Sequence, residues 1–213
     1  MKISEIFYSI QGEGAEIGLP TTFVRLFACD LRCSWCDTMY AVEGRDFKDI
    51  PVEKVIEQIE GIGSKRVCFT GGEPLLQKKE LVVLAEHLLN NDYGIILETS
   101  GHKDPPQIFW NDGCIISMDC KCPSSNMELR MDFPLFEKLR PIDQLKFVIK
   151  DEKDYEYAKS VIEKLEIKSK IIFQPVYGYE LKWLVESVLN DKLEDVRVLI
   201  QLHKLVWGEK RGV

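Results

Sequence analysis

With 213 residues, 45% hydrophobic and 30% charged, the chain has the composition of an ordinary globular protein and is expected to fold as one domain over 1–213. A formal net charge of −7 argues against an extended nucleic-acid-binding face. No run of about 18 apolar residues occurs and the N-terminus has no apolar signal core, so a cytoplasmic protein with no membrane span and reduced cysteines is expected.

The opening Ile3–Ile10 alternates loosely and ends in Gln11-Gly12-Glu13-Gly14. Two glycines so close fit either a plain loop or a turn that brings backbone near a ligand. Thr22–Ala28 reads as a buried strand carrying one charge. Arg25, among Phe23, Val24, Leu26 and Phe27, must enter a polar pocket or reach solvent from one face. Cys29, Cys33 and Cys36 then follow at spacing C-x3-C-x2-C. Iron–sulfur clusters are held by thiolates, and three thiolates on a four-iron cubane leave one iron open to an exogenous chelator. Adenosylmethionine can fill it through its amino group and carboxylate. The competing reading is structural zinc, which lacks a fourth local ligand; the only histidines are His87, His102 and His203.

Pro51–Ile62 has the periodicity of an amphipathic helix, with Val52, Val55, Ile56 and Ile59 on one side. Strand Arg66–Thr70 leads into Gly71-Gly72-Glu73-Pro74 and a helix over Lys78–Asn91. Further strands are expected at Gly94–Glu98, Cys114–Met118, Gln144–Ile149, Lys170–Gln174 and Val196–Leu202. The intervening helices run over Asp151–Leu165 and through Leu181, Leu184, Val185 and Val188, those four facing inward. Alternating strands and helices imply an α/β fold with a parallel sheet and right-handed crossovers. Six to seven strands are too few for a full eight-unit barrel, which takes about 250 residues. An incomplete, TIM-like β/α barrel is expected, with a doubly wound open sheet as the alternative. In either, function collects at the C-terminal strand ends, where the cysteine loop, Gly-Gly-Glu-Pro, Glu98-Thr99-Ser100-Gly101, Asp119–Pro123 and Gln174-Pro175 all fall. Glu98 there could hold ribose hydroxyls or stand as a solvated strand end.

The cysteine spacing resembles the signature of the radical adenosylmethionine superfamily. More specifically, Ser9–Gly14, Phe23-Val24-Arg25-Leu26, Cys33–Thr38, Thr70–Gln77 and Gln201-Leu202-His203-Lys204 together resemble the 7-carboxy-7-deazaguanine synthase family. The resemblance spans nearly the whole chain. It implies a radical lyase that converts 6-carboxytetrahydropterin to 7-carboxy-7-deazaguanine with loss of ammonia, working as a homodimer with a reductant such as flavodoxin or ferredoxin. By it, Cys29, Cys33 and Cys36 hold a 4Fe–4S cluster. Trp35, Cys36, Asp37, Gly72, Glu98, Ser117, Lys121 and Gln174 contact adenosylmethionine, and Thr38 binds Mg2+. Ile10, Gln11, Gly12, Glu13, Arg25 and Thr70 contact the pterin. The residue types suit these duties: a carboxylate wants a planar cationic fork, and a ring edge wants backbone and amide partners. Other functions sharing the motif are a small glycyl-radical activase or a non-enzymatic electron-transfer module. The chain departs from the family's shorter Ser-Pro-Lys segment at Ser117–Pro123 and in its tail Trp207–Val213, and Cys68, Cys114, Cys120 and Cys122 are additional.

Overall fold

The computed structural model describes residues 1–213. Its first strand, β1 (Lys2–Ile10), pairs antiparallel with β2 (Pro20–Leu26), and the two-residue β3 (Lys48–Asp49) pairs antiparallel with the start of β1. From β2 onward every neighbour is parallel, through β4 (Arg66–Gly71), β5 (Gly94–Ser100), β6 (Cys114–Cys120), β7 (Gln144–Ile149), β8 (Lys170–Pro175) and β9 (Val196–Val198). The nine strands stand in the order β3-β1-β2-β4-β5-β6-β7-β8-β9, and β9 does not return to β3. Because the parallel strands follow chain order without a reversal, every right-handed crossover lays its helix on the same side. A doubly wound sheet would reverse at a switch point. The sheet is therefore an open arc of a β/α barrel: seven parallel strands as expected, plus two antiparallel strands at one edge that the sequence reading did not separate.

The covering helices are α1 (Met39–Val42), α2 (Val52–Ile62), α3 (Lys78–Asn90), α4 (Phe133–Lys138), α5 (Glu152–Lys164), α6 (Leu181–Asn190) and α7 (Leu202–Trp207). Pro51 precedes α2 and the left-handed Gly63 (φ 81°) ends it. Asp151 caps α5 by accepting from the Asp154 N–H at 3.1 Å. Val55 and Ile59 of α2, Leu81, Leu84 and Leu88 of α3, and Val161 of α5 pack against Leu26, Phe69, Leu97, Leu145 and Phe147 of the strands in one continuous core. Each such side chain, fully buried, contributes about 1.5–3 kcal/mol, so the helix-covered face of the arc carries the stability.

Several boundaries differ from expectation. The second strand stops at Leu26, because Ala28 takes a left-handed conformation (φ 83°) that breaks the pleat. The last strand covers Val196–Val198 only, and Leu202 opens α7 rather than closing a strand. Leu181 is 37% exposed, so α6 turns inward through Leu184 and Val188, with Val185 half-buried. β5 and β6 each run two residues further, taking Thr99-Ser100 and Asp119-Cys120 into the sheet.

Candidate active site on the concave face

Strand alternation gives the face opposite the helices a composition of its own. Its floor is apolar: Phe7 stacks on Phe23 at 5.0 Å between ring centres, and Phe23 packs with Cys68 and Ile96. Two residues nearer the C-terminal ends of the parallel strands, the same face becomes polar. Glu5 is opposite Arg25, Arg25 is level with Thr70, Glu98 with Ser117, and Ser117 with Gln144. This row crosses six strands. Arg25 therefore enters a polar pocket, the first of its two possible fates.

Hydrogen bonds link the row. Arg25 donates through Nε to Glu5 at 2.8 Å, and Tyr40 donates to the same oxygen at 2.7 Å. Thr70 and Gln11 both donate to Glu98, at 2.7 and 3.2 Å. Gln144 donates to Ser117 at 2.7 Å and accepts from the Ala15 N–H at 2.6 Å. Beyond the row, four charges alternate in sign. Glu13 pairs with Lys146; Lys146 lies 3.3 Å from Asp119, and Asp119 lies 2.6 Å from Lys121. Burial alone would raise the Glu13 and Asp119 carboxyls, but the lysines beside them hold both below their ordinary values. Burial likewise opposes the charge on Lys146 and Lys121, and the flanking carboxylates overcome it and raise both. All four groups are thus ionised at neutral pH.

The chain end closes over this face. Gln201 donates to Glu13 at 2.7 Å, the Leu202 N–H donates to the Gly12 carbonyl at 2.8 Å, and Lys204 pairs with Asp37 at 3.2 Å. Gly12 is held to glycine by contact: a β-carbon there would overlap the His203 ring.

The cysteine loop begins where β2 ends. Cys29, Cys33 and Cys36 are half-buried and free. Arg32 donates to the Cys29 and Leu31 carbonyls at 2.7 and 2.8 Å, Asp30 lies 2.9 Å from both His102 and Lys103, and Leu31 is buried in the core. Trp35 donates to Ser124 at 3.0 Å, with Lys121 over its ring at 5.5 Å. Gly71 (φ 134°) and Gly72 press against the loop's root: a β-carbon on Gly72 would collide with the Ala28 and Ala41 carbonyls. Glu73, fully buried, accepts from the Leu75 N–H, the Thr99 hydroxyl and the Ser100 N–H at 2.7 to 3.0 Å, tying that turn to β5.

These residues fit a cluster with an organic ligand. The thiols share one braced loop, and no trio of His, Cys, Asp or Glu converges to hold a single ion; a cubane asks instead for one thiolate at each of three irons. Burial pushes Cys29 up to about 11 and raises Cys33 as well, so metal rather than a free thiolate would replace the proton. The Gln174 carboxamide oxygen, at a buried strand end, has no partner and is available to a ligand donor.

Among the sequence-derived assignments, Gln11, Gly12, Glu13, Arg25 and Thr70 lie together, while Ile10 is half-buried at the end of β1. Trp35 meets Lys121, and Gly72 meets the cysteine loop. Glu98 accepts from Gln11 and Thr70, and Ser117 is in the same row. Asp37 is 43% exposed in its pair with Lys204, and Thr38 lies 3.7 Å from the Cys36 sulfur. Cys68, Cys114, Cys120 and Cys122 are buried and free. Glu5, Tyr40, Gln144 and Lys146 carry no assignment from the sequence, and Asp119 and Gln201 stand out there only within motifs, with no role attached. Lys146 carried the same signal as Arg25, one charge inside an apolar strand. A separate hollow of about 280 Å³ at the first turns of α5 and α6, walled by Ile149, Pro175, Tyr179 and Trp183, holds none of these residues.

Residues 24–109 match the model of the radical SAM superfamily. The 7-carboxy-7-deazaguanine synthase of Thermoplasma acidophilum is 35% identical over the full length of both chains. The protein of the same name from Methanospirillum hungatei is 38% identical, covering 97% of this chain and 85% of its own, and that of Bacillus subtilis 35%, covering 99% and 98%. The crystal structure of QueE from Escherichia coli superposes with a TM-score of 0.79 over 95% of this chain and 94% of that one; at 22% identity it supports the fold alone.

Proposed function

The chain belongs to the 7-carboxy-7-deazaguanine synthase family of radical adenosylmethionine enzymes, and from that membership we infer how its concave face serves the reaction. The protein is a carbon–nitrogen lyase of 7-deazapurine biosynthesis, turning 6-carboxy-5,6,7,8-tetrahydropterin into 7-carboxy-7-deazaguanine with loss of ammonia. Its family cofactors are a 4Fe–4S cluster and adenosylmethionine, and Cys29, Cys33 and Cys36 would hold the cluster. Together they supply one-electron chemistry in which a hydrogen atom is taken from the substrate and returned after rearrangement.

The observation that carries the residue assignments is the polar row beside the cysteine loop on one concave face. Arg25 spends its Nε–H on Glu5, so both terminal nitrogens remain for the pterin carboxylate, end-on and paired. Glu98 is an acceptor set beside the Gln11 amide, suited to the N–H-rich edge of the pterin ring. Gln11, Gly12 and Glu13 wall the ring, and Thr70 orients Glu98. Trp35, Lys121, Gly72 and Gln174 border the adenosylmethionine side. Thr38 would offer Mg2+ its hydroxyl, and since one neutral hydroxyl is a weak anchor, substrate and water oxygens would have to supply the remaining ligands.

Residues 1–213 act as one domain, since the site draws on both ends of the sequence. A homodimer is supported by β1, whose edge beyond Ile3 pairs with no strand and carries Tyr8 at 55% exposure. A reductant such as a flavodoxin or ferredoxin would supply the electron, and free thiols with a cluster suit the cytoplasm. No helix is long and apolar enough to cross a membrane.

The test is turnover of anaerobically reconstituted protein with 6-carboxytetrahydropterin, adenosylmethionine, Mg2+ and a reductant, followed by mass and absorbance of the product. A fully iron-loaded preparation that cleaves adenosylmethionine yet leaves the pterin unchanged would overturn the reading in favour of another substrate.

A further inference from the structure

β7 is buried along its whole length, yet it carries Lys146 in its middle, with a side chain only 7% exposed. A lone ammonium there would be very costly, and even a paired one seldom stabilises more than an apolar residue of the same volume. Its partners explain its presence. Glu13 comes from the loop after β1 and Asp119 from β6, so one nitrogen ties together two elements that share no strand pairing.

Each partner leads onward. The second oxygen of Glu13 accepts from Gln201, fixing the Gln11–Gly14 turn against the closing segment. The second oxygen of Asp119 holds Lys121, whose ammonium lies over Trp35 beside the cluster loop. Remove the central cation and buried Glu13 keeps only the neutral Gln201, while Asp119 keeps Lys121 on one oxygen and loses the contact on the other. Glu13 must then take up a proton or move, and Asp119 is freed to turn about Lys121, so a wall of the site on each side loses its anchor.

We propose that Lys146 is a positioning residue shared by both halves of the site, holding Glu13 on the pterin side and Asp119 on the adenosylmethionine side. The proposal rests on the family reading for which ligand occupies each half, and it requires no contact between Lys146 and either ligand.

The experiment uses reconstituted holoenzyme carrying Lys146→Met, Lys146→Arg or Leu145→Ala. Leu145 is the neighbouring residue of the same strand, buried in the helix-facing core, and reports simple loss of stability. Iron content, thermal midpoint, adenosylmethionine affinity by equilibrium dialysis, and KM and kcat for 6-carboxytetrahydropterin are measured on each. Lys146→Met should weaken adenosylmethionine binding and raise the pterin KM by about tenfold each, the loss of one charge-assisted contact, with kcat much less affected. Lys146→Arg should shift both constants in the same direction by a smaller factor. Leu145→Ala should lower the midpoint and leave both constants alone.

A change confined to one ligand, or an equal change in Leu145→Ala, overturns the proposal. If Lys146→Met does not take up iron, Lys146→Arg decides, and a shift in only one constant or in neither is the refuting result. Wild type run in parallel separates the two failures. No product from wild type sinks the family reaction, whereas normal turnover with affinities indifferent to Lys146 sinks this inference alone.

Discussion

Replacing Arg25 by lysine tests the site where its geometry is most demanding. The guanidinium is committed through Nε to Glu5 at 2.8 Å, both side chains being 16% exposed, while its two terminal nitrogens remain for a carboxylate. Lysine brings the same charge on a single nitrogen. It can keep Glu5 or turn to the substrate, and Glu5, always present and also gripped by Tyr40, will win. The lost substrate contact is a charge-assisted hydrogen bond worth about 1.5–3 kcal/mol, or roughly 10- to 150-fold in affinity. Arg25→Lys should therefore raise the pterin KM by that factor in an anaerobic steady-state assay, with the thermal midpoint, iron content and adenosylmethionine affinity close to wild type. An unchanged KM would refute the assignment. A large drop in midpoint with KM and kcat falling together would make Arg25 a structural cation.

Other expectations are simpler. Cys33→Ala should lose cluster iron on reconstitution, while Cys68→Ala and Cys114→Ala keep it, as iron and sulfide analysis will show. Gly72→Ala drives a β-carbon into the Ala28 and Ala41 carbonyls, so it should cost about 1–3 kcal/mol of stability and disturb the cysteine loop, read as a lower denaturant midpoint and lower iron content. Thr38→Ala should reduce the mutual strengthening of Mg2+ and pterin binding while sparing cluster content; equal coupling in both proteins would remove Thr38 from the metal site. Glu13 is held below its ordinary 4.5, so its stabilisation is complete above that pH and fades as pH falls through the lower folded value. The gap in urea midpoint between wild type and Glu13→Gln should accordingly be full at pH 7 and shrink below about pH 4.5.

Much of this site is legible in the sequence because its chemistry is local. The cysteines, the glycine pair and the Gln11–Gly14 turn are contiguous, and Arg25 stands out as one charge in an apolar strand. Glu5 was harder: in Ile3–Ile10 it is one polar residue among several, and only the antiparallel register opposite Arg25 distinguishes it. The strand-end position of Glu98 is legible, but not the level it shares with Ser117 or its place beside Gln11 and Thr70. Register, unlike alternation, depends on partners distant in sequence. The same holds for β3, two residues whose strand character comes wholly from pairing with Lys2 and Ile3.

The arc never closes by strand pairing, and the closing segment spans the opening. Gln201 reaches Glu13 across 188 positions and Arg211 reaches Asp46 across 165, among the longest-range contacts in the molecule. On a ribosome, the strands and their helices can assemble progressively as each βα unit emerges, since every parallel neighbour is next in chain order. The catalytic face cannot be sealed until residues beyond 200 are free of the exit tunnel. Until then Glu13 lacks its Gln201 partner and the Gly12 carbonyl lacks the Leu202 N–H. The face is thus completed last, when residues 201–211 pack back onto residues 12–46.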